Sequence, residues 1–134
     1  MATSSAPSVI ELFAGAGLLG EAFAQAGFDL RAAYEMDPVA CESYAKNISK
    51  HIQCVDLQSI RPRGKCHTLI AGPPCQGFST LGKRNPSDPR NALSLIVPKW
   101  AKALRPRVVV IENVAAFGQS EVHRRVCEQL RRLG

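Results

Sequence analysis

Short apolar runs alternate with segments of helical periodicity along most of the chain, and this alternation limits the possible folds most strongly. Five runs are strand candidates: residues 9–13, 28–36, 51–55, 66–71 and 108–111. Between them, apolar side chains recur every three or four positions, which is the spacing of an amphipathic helix. Such alternation is typical of a parallel sheet with helices on both faces. The sequence therefore predicts an α/β fold whose ligands bind beyond the carboxyl ends of the strands.

Glycine and proline mark the ends of the predicted helices. Gly27 closes the first helix. Asp37 and Pro38 open the second, because a carboxylate caps free N–H groups and proline fits the first helical position. Pro98 lies inside the third helical segment and predicts a kink or a late start. Val108–Ile111 is an unbroken β-branched run, which predicts a strand covered on both faces.

Length and composition favour one globular domain. The 134 residues are 46% hydrophobic and 21% charged, as in ordinary folded proteins. We expect a single domain over residues 1–134, with residues 1–7 as a flexible tail. No apolar run approaches the ~20 residues of a membrane span, and the start does not resemble a secretory signal, so we expect a cytoplasmic protein without a membrane partner. The five cysteines form no CxxC pair, which argues against a disulfide framework or a metal site.

Charge is divided unevenly along the chain. Residues 1–60 carry three basic and seven acidic side chains, whereas residues 61–134 carry fourteen and four. The net charge of +6 at pH 7 therefore combines a half of −4 with a half of +10. A basic half attracts polyanions, nucleic acid above all, although an arginine-rich solvated surface would have the same composition.

Small and acidic residues follow the first three strand candidates. Gly15 and Gly17 lie in a turn before a helix, where small residues let a ligand approach backbone N–H groups, although tight turns also use glycine for structure alone. Glu35 follows the second strand and could accept hydrogen bonds from ribose hydroxyls. Asp56 follows the third strand, where it could accept from an exocyclic amine or close a turn.

A cysteine follows two prolines in the segment AGPPCQGFS, residues 71–79. Pro73 and Pro74 restrict the backbone that leads to Cys75. A thiol attacks as its thiolate, so a loop cysteine braced in this way is a candidate nucleophile. Glu112 ends the last strand candidate, where a carboxylate is either paired or titrates abnormally.

Six segments occur in a specific order: ELFAGAG, YEMD, VDL, AGPPCQGFS, DPRNAL and IENV. Together they resemble the cytosine-5 DNA methyltransferase family. The match runs from Glu11 to Val114 and covers most of the chain. GPPCQGFS and ENV carry most of its specificity, because the other segments are shared more loosely among methyltransferases. The resemblance implies a Rossmann-like methyltransferase fold that is incomplete at its C-terminal end. It also implies S-adenosylmethionine as the cofactor, without a metal.

The resemblance also implies roles for individual residues. Contacts to S-adenosylmethionine are expected from Phe13, Ala14, Gly15, Gly17, Glu35, Met36, Asp56, Pro74 and Leu93. Among them, Phe13 and Met36 would flank the adenine, and Glu35 would hold the ribose. Cys75 would be the nucleophile and Glu112 would hold the target base. Contacts to DNA are expected from Gln76, Ser79, Lys83, Arg84, Arg90 and Asn113.

The implied reaction moves a methyl group from S-adenosylmethionine to carbon 5 of a flipped-out cytosine in DNA, through a covalent cysteine adduct. Family members continue with an arginine-bearing motif, a variable target-recognition region and a late asparagine-containing segment. We therefore expect a truncated chain or one subunit of a split enzyme, with Val108–Ile111 as an unprotected edge strand. A second polypeptide or a missing C-terminal region would be its partner. The alternatives are a tRNA cytosine-5 methyltransferase and a catalytically inactive cofactor-binding or partner-binding fragment.

Overall fold

The computed structural model describes residues 6–74 and 89–134, with the backbone alone at residue 91. Its strands are β1 (Ser8–Leu12), β2 (Asp29–Glu35), β3 (Ile52–Cys54), β4 (Thr68–Ala71) and β5 (Val108–Ile111). All pairings are parallel, in the order β3-β2-β1-β4-β5. The order reverses between β1 and β4, and open parallel sheets bind ligands at such a switch point.

Helices cover both faces of the sheet. The α-helices are α1 (Leu18–Gln25), α2 (Pro38–Asn47), α3 (Ile96–Leu104) and α4 (Glu121–Arg131), with 3-10 helices at Pro89–Leu95 and Ala115–Gln119. The first two α-helices pack on one face and the last two on the other. The predicted α/β fold is therefore confirmed. Within residues 6–74 and 89–134, no helix is long and apolar enough to cross a membrane.

The larger core lies between the sheet and α3. Trp100 of α3 packs edge-on against Tyr34 of β2, with ring centroids 4.8 Å apart. Leu12 and Leu69, from the two central strands, are fully buried beside this pair. A smaller core around Tyr44 lies under α2 on the opposite face. Strands β1 and β4 are thus covered on both faces, and every residue in them is buried.

Local sequence accounts for where two helices begin. Asp37 Oδ1 accepts a hydrogen bond from the Val39 N–H at 2.8 Å, and Pro38 is the first residue of α2, as predicted. The third α-helix begins only at Ile96, after a 3-10 turn. Pro98 therefore lies in the first turn, where its missing N–H breaks no helical hydrogen bond. Of the two predicted possibilities, the late start is confirmed.

The prediction that Val108–Ile111 is covered on both faces is wrong. Val108 is 51% exposed, and the other three residues of β5 are only half-buried. In the described part of the chain β5 pairs with β4 alone, so it is an edge strand. A β-branched run reports strand propensity rather than position in the sheet, and here the buried positions belong to β1 and β4. The separate expectation of an edge strand at this position agrees with the structure.

Ordered pairing begins close to the start of the chain. The Pro7 carbonyl accepts a hydrogen bond from the Asp29 N–H at 3.0 Å, and Ser8 is buried as the first residue of β1. Residues 1–5 of the predicted tail lie outside the described part of the chain. Within the predicted tail, Pro7 is thus already tied to the sheet.

Candidate active site

A cleft of about 530 Å³ opens at the carboxyl end of β1, next to the switch point of the sheet. Its lining combines backbone and side chains of β1, the turn after it, one side of α1, and the ends of β4 and β5. The residues are Glu11, Phe13, Ala14, Gly15, Ala16, Leu18, Leu19, Ala22, Gly72 and Glu112. The apolar side of α1 therefore faces this cleft, which explains why α1 buries only Gly20 completely.

The turn between β1 and α1 has an unusual backbone. Phe13 adopts φ 56°, a left-handed conformation that costs a non-glycine residue energy. Gly15 and Gly17 have φ 54° and 98°, which glycine adopts without that cost. The turn brings Phe13, Ala14 and Gly15 to the wall of the cleft. Gly17 instead lies behind it, because an added Cβ would approach Ile48 Cγ1 to 2.6 Å.

The carboxylate of Glu35 joins this turn to the end of β2. Its Oε2 accepts from the Gly15 N–H at 2.8 Å. Its Oε1 accepts from the N–H groups of Met36 and Asp37, at 2.8 and 2.9 Å. A carboxylate has about four acceptor positions, so three backbone donors leave capacity for a ligand hydroxyl. Met36 projects beside it and is 62% exposed.

Three other predicted cofactor residues lie outside the described lining of the cleft. Asp56 caps a turn after β3, where its Oδ1 accepts from the Gln58 N–H at 2.8 Å. Pro74 follows the end of β4, and Leu93 lies in the 3-10 helix Pro89–Leu95. Both are half-buried. The structure thus places Phe13, Ala14 and Gly15 in the cleft wall, with Glu35 bonded to Gly15. Asp56, Pro74 and Leu93 are not among the described lining residues.

Glu112 lies at the opposite end of the cleft, directly after β5. Its backbone N–H donates to the Ala71 carbonyl at 2.9 Å, which continues the β4–β5 pairing by one residue. The exposed side chain runs beside Gly72, where an added Cβ would lie 3.8 Å from Glu112 Oε2. The missing side chain at Gly72 therefore leaves the carboxylate open to the cleft.

Asn113 ties the end of β5 to the segment that leads to Cys75. Its Nδ2 donates to the Pro73 carbonyl at 3.0 Å, and its Oδ1 accepts from the Val114 N–H at 2.9 Å. Arg90 is exposed in the 3-10 helix before α3. Cys75 and the predicted DNA contacts Gln76, Ser79, Lys83 and Arg84 lie outside the described residues.

The sequence interpretation missed a buried acid in this region. Glu11 is 1% exposed, and its Oε1 accepts from the Gly20 N–H at 2.9 Å. Its Oε2 accepts from the Tyr44 hydroxyl at 3.1 Å, and this hydroxyl lies 3.1 Å from His51 Nε2. Burial raises the pKa of Glu11 to about 7, although both hydrogen bonds oppose the shift. The sequence feature that could have predicted this buried acid is a glutamate inside the apolar run VIELF, residues 9–13.

Within residues 89–134, a cluster of basic side chains lies away from the cleft. A groove of about 760 Å³ at the amino end of β5 is surrounded by five basic residues. They are Lys102, Arg105, Arg107, Arg131 and Arg132. This groove lies at the opposite end of β5 from Glu112, so these five basic side chains are remote from the cleft.

Comparison with known proteins assigns the fold and the family. The sequence profile described as "C-5 cytosine-specific DNA methylase" matches residues 8–134. Type II methyltransferase M.HgiDI of Herpetosiphon aurantiacus is 37% identical, over 90% of this chain and 41% of its own length. Type II methyltransferase M.HgiGI of the same organism is 36% identical, over 85% of this chain and 95% of its own length.

A solved structure gives the same result. It is described as a DNA modification methyltransferase encoded within an E. coli prophage. It superposes with a TM-score of 0.75 at 28% identity, over 96% of this chain and 37% of the other. The chain thus spans about two fifths of the length of M.HgiDI and of this structure. It belongs to the C-5 cytosine-specific DNA methylase family.

Proposed function

We propose that the whole protein transfers a methyl group from S-adenosylmethionine to carbon 5 of cytosine in DNA. The observation that carries the proposal is one cleft with two functional ends. The Glu35–Gly15 contact lies beside one end, and the Glu112 carboxylate lies at the other. The Pro73 carbonyl, two residues before Cys75, accepts a hydrogen bond from the side chain of Asn113, the residue after Glu112.

The residues present fit the proposed cofactor. An adenosyl group has ribose hydroxyls that need acceptors, and the half-buried Glu35 carboxylate supplies them beside the turn of Phe13. Phe13 and the exposed Met36 offer apolar surfaces for a purine. When bound, S-adenosylmethionine supplies an electrophilic methyl group on a positively charged sulfur. We assign Phe13, Ala14, Gly15, Glu35 and Met36 to its binding.

Cytosine carbon 5 is a weak nucleophile, and the chemistry of Cys75 and Glu112 answers this difficulty. In the proposed reaction the Cys75 thiolate adds to carbon 6, which makes carbon 5 electron-rich. Glu112 beside ring nitrogen 3 stabilises the charge that develops on the ring. Carbon 5 then takes the methyl group from the sulfonium sulfur, which leaves S-adenosylhomocysteine as the product. A general base removes the proton from carbon 5, and the bond between carbon 6 and the Cys75 sulfur breaks to release the thiolate. The target cytosine must leave the duplex stack to reach this site.

The remainder of the enzyme is proposed to supply target recognition. The chain spans about two fifths of M.HgiDI, so most of a protein of that length would lie outside the segment described here. A following region of the same polypeptide or a second polypeptide would read the DNA sequence and cover β5. A protein of this kind acts where DNA is, so we expect it in the bacterial cytosol or nucleoid.

A covalent trap tests the nucleophile directly. The complete protein would be incubated with S-adenosylmethionine and a long DNA duplex in which 5-fluorocytosine replaces cytosine. Fluorine at carbon 5 blocks the final elimination, so the enzyme should remain attached to DNA as a denaturation-resistant adduct. Cys75→Ser should form no adduct, whereas Cys54→Ser, which removes an exposed thiol of β3, should form it normally. An undiminished adduct with Cys75→Ser would contradict the mechanism.

The two alternative functions require a second substrate and a binding assay. Labelled S-adenosylmethionine would be offered with unmethylated genomic DNA or with tRNA. Label on DNA alone supports the proposal, and label on tRNA alone supports the tRNA enzyme. Cofactor binding without transfer to either nucleic acid would indicate an inactive binding module.

A further inference from the structure

One acidic residue in the lining of the cleft has no role in the proposed reaction. Glu11 lies near the end of β1 and lines the cleft beside Phe13 and Ala14. Its oxygens are held by two groups from the helices above it, the Gly20 N–H and the Tyr44 hydroxyl. Because Gly20 has no Cβ, α1 approaches so closely that an added Cβ would lie 2.2 Å from Glu11 Oε2.

The charge of the cleft favours a cationic occupant. Its described lining contains two carboxylates, those of Glu11 and Glu112, and no lysine, arginine or histidine. Charges interact most strongly where water is excluded, and Glu11 is the buried member of the pair. A positively charged ligand would therefore be attracted, and Glu11 would contribute through its ionised form only.

The groups around Glu11 allow it to change its protonation state. Burial and the neighbouring Glu11 raise the pKa of Tyr44, so the phenol keeps its proton. Burial lowers the pKa of His51, although the charge of Asp29 opposes this shift. The lowered pKa favours the neutral imidazole ring. Glu21, on α1, adds negative charge near Tyr44. No cation among these groups competes for the Glu11 carboxylate.

Both protonation states satisfy every hydrogen bond in this network. With Glu11 ionised, Tyr44 donates to Glu11 Oε2 and His51 Nε2–H donates to Tyr44. With Glu11 protonated, its carboxyl donates to Tyr44 and the phenol donates to an unprotonated His51 Nε2. The two distances of 3.1 Å serve either arrangement, and a neutral imidazole can take either tautomer. Burial raises the pKa of Glu11 to about 7, so a modest interaction can shift the balance.

We propose that Glu11 makes the cleft prefer the cationic methyl donor to the neutral product, S-adenosylhomocysteine. The inference rests on the proposed function. When the donor binds, Glu11 releases its proton to solvent and its carboxylate interacts with the sulfonium charge. The product lacks that charge, so Glu11 keeps its proton when the product is bound. Glu11 is thus a specificity-determining residue that favours exchange of product for donor.

Calorimetry measures this linkage without turnover. Binding of S-adenosylmethionine and of S-adenosylhomocysteine to this chain would be titrated between about pH 5.5 and about pH 8, in two buffers with different ionisation enthalpies. We expect donor affinity to rise about tenfold across this range while product affinity stays nearly constant. The buffer dependence should show proton release with the donor only. Glu11→Gln should bind the donor weakly at every pH, whereas Glu42→Gln, an exposed acid on α2, should behave as the parent chain.

Each result has a defined meaning. Equal pH dependence for donor and product would overturn the inference, because Glu11 would then respond to a group that both ligands share. A donor preference that persists unchanged in Glu11→Gln would overturn it as well. If Glu11→Gln does not fold, proton release by the unmodified chain still decides the question. Failure to bind either ligand would refute cofactor binding by this chain itself, a result distinct from binding without pH dependence.

Discussion

The side-chain amide of Asn113 donates a hydrogen bond to the backbone carbonyl of Pro73, with an N···O distance of 3.0 Å. The contact joins the residue after Glu112 to a segment 40 positions earlier in the chain, two residues before Cys75. Asn113 Oδ1 accepts a hydrogen bond from the Val114 N–H, so both ends of the side-chain amide have backbone partners. Asn113 therefore ties the end of β5 to the segment that leads to Cys75, and its predicted contact with DNA stays a prediction.

Replacing Asn113 with Ala should slow methyl transfer without weakening cofactor binding. The loss of one positioning hydrogen bond next to a nucleophile costs alignment, and we expect a rate reduction of roughly tenfold to a hundredfold. Single-turnover assays of the complete protein would measure the rate, and calorimetry would measure cofactor affinity. The control is Asn47→Ala, which removes an exposed amide hydrogen bond within α2. An equal fall in cofactor affinity would argue against a positioning role.

Replacing Gly20 with Ala should destabilise the fold although alanine favours helices. The gain in helix propensity is about 1 kcal/mol. The added Cβ, however, would lie 2.2 Å from Glu11 Oε2 and 3.2 Å from the Tyr44 hydroxyl, so the buried Glu11 side chain or α1 must shift. We expect a net loss of about 2 kcal/mol in the free energy of unfolding. Urea denaturation of this chain would measure it.

Gly118→Ala provides the matched control for that substitution. An added Cβ at Gly118 meets no atom within 4 Å, and this glycine is not among those with positive φ. Its stability should therefore change by less than about 0.5 kcal/mol. Equal effects of the two substitutions would show that steric contact with Glu11 is not the cause.

The buried carboxyl of Glu11 should make stability depend on pH. Its pKa is about 7 in the folded chain, above the ordinary value of 4.5. Between these pH values the folded state holds a proton that the unfolded state has lost. The resulting stability is complete below about pH 4.5 and disappears as pH rises through about 7, a change on the order of 3 kcal/mol. Urea denaturation at several pH values would measure this slope, which Glu11→Gln should largely abolish.

Replacing Glu35 with Gln should weaken cofactor binding more than it weakens the fold. Three backbone N–H groups donate to the Glu35 carboxylate, one to Oε2 and two to Oε1. A glutamine side chain has only one oxygen, so it can accept at one of these two positions but not at both. The turn at Gly15 would lose its tie to β2, and a ribose would lose an ionised acceptor. We expect about a tenfold to hundredfold loss of S-adenosylmethionine affinity. Glu42→Gln again controls for the change in charge, and unchanged affinity in Glu35→Gln would remove this residue from the proposed site.

Local patterns in the sequence determined the fold class and the positions of the elements. Strand–helix alternation predicted the parallel sheet, and Asp37-Pro38 predicted the start of α2, because capping and periodicity depend on neighbours a few residues away. The ordered segments from Glu11 to Val114 likewise pointed to the family that the comparison assigned.

Tertiary structure alone decided which residues meet. The run Val108–Ile111 predicted a buried strand, but its place at the sheet edge follows from strand order, which no local pattern contains. Glu11 and Tyr44 are 33 positions apart, and Asn113 and Pro73 are 40 apart. Such contacts depend on how the helices pack across the sheet, so a hydrogen bond between distant residues becomes visible only when the chain is folded.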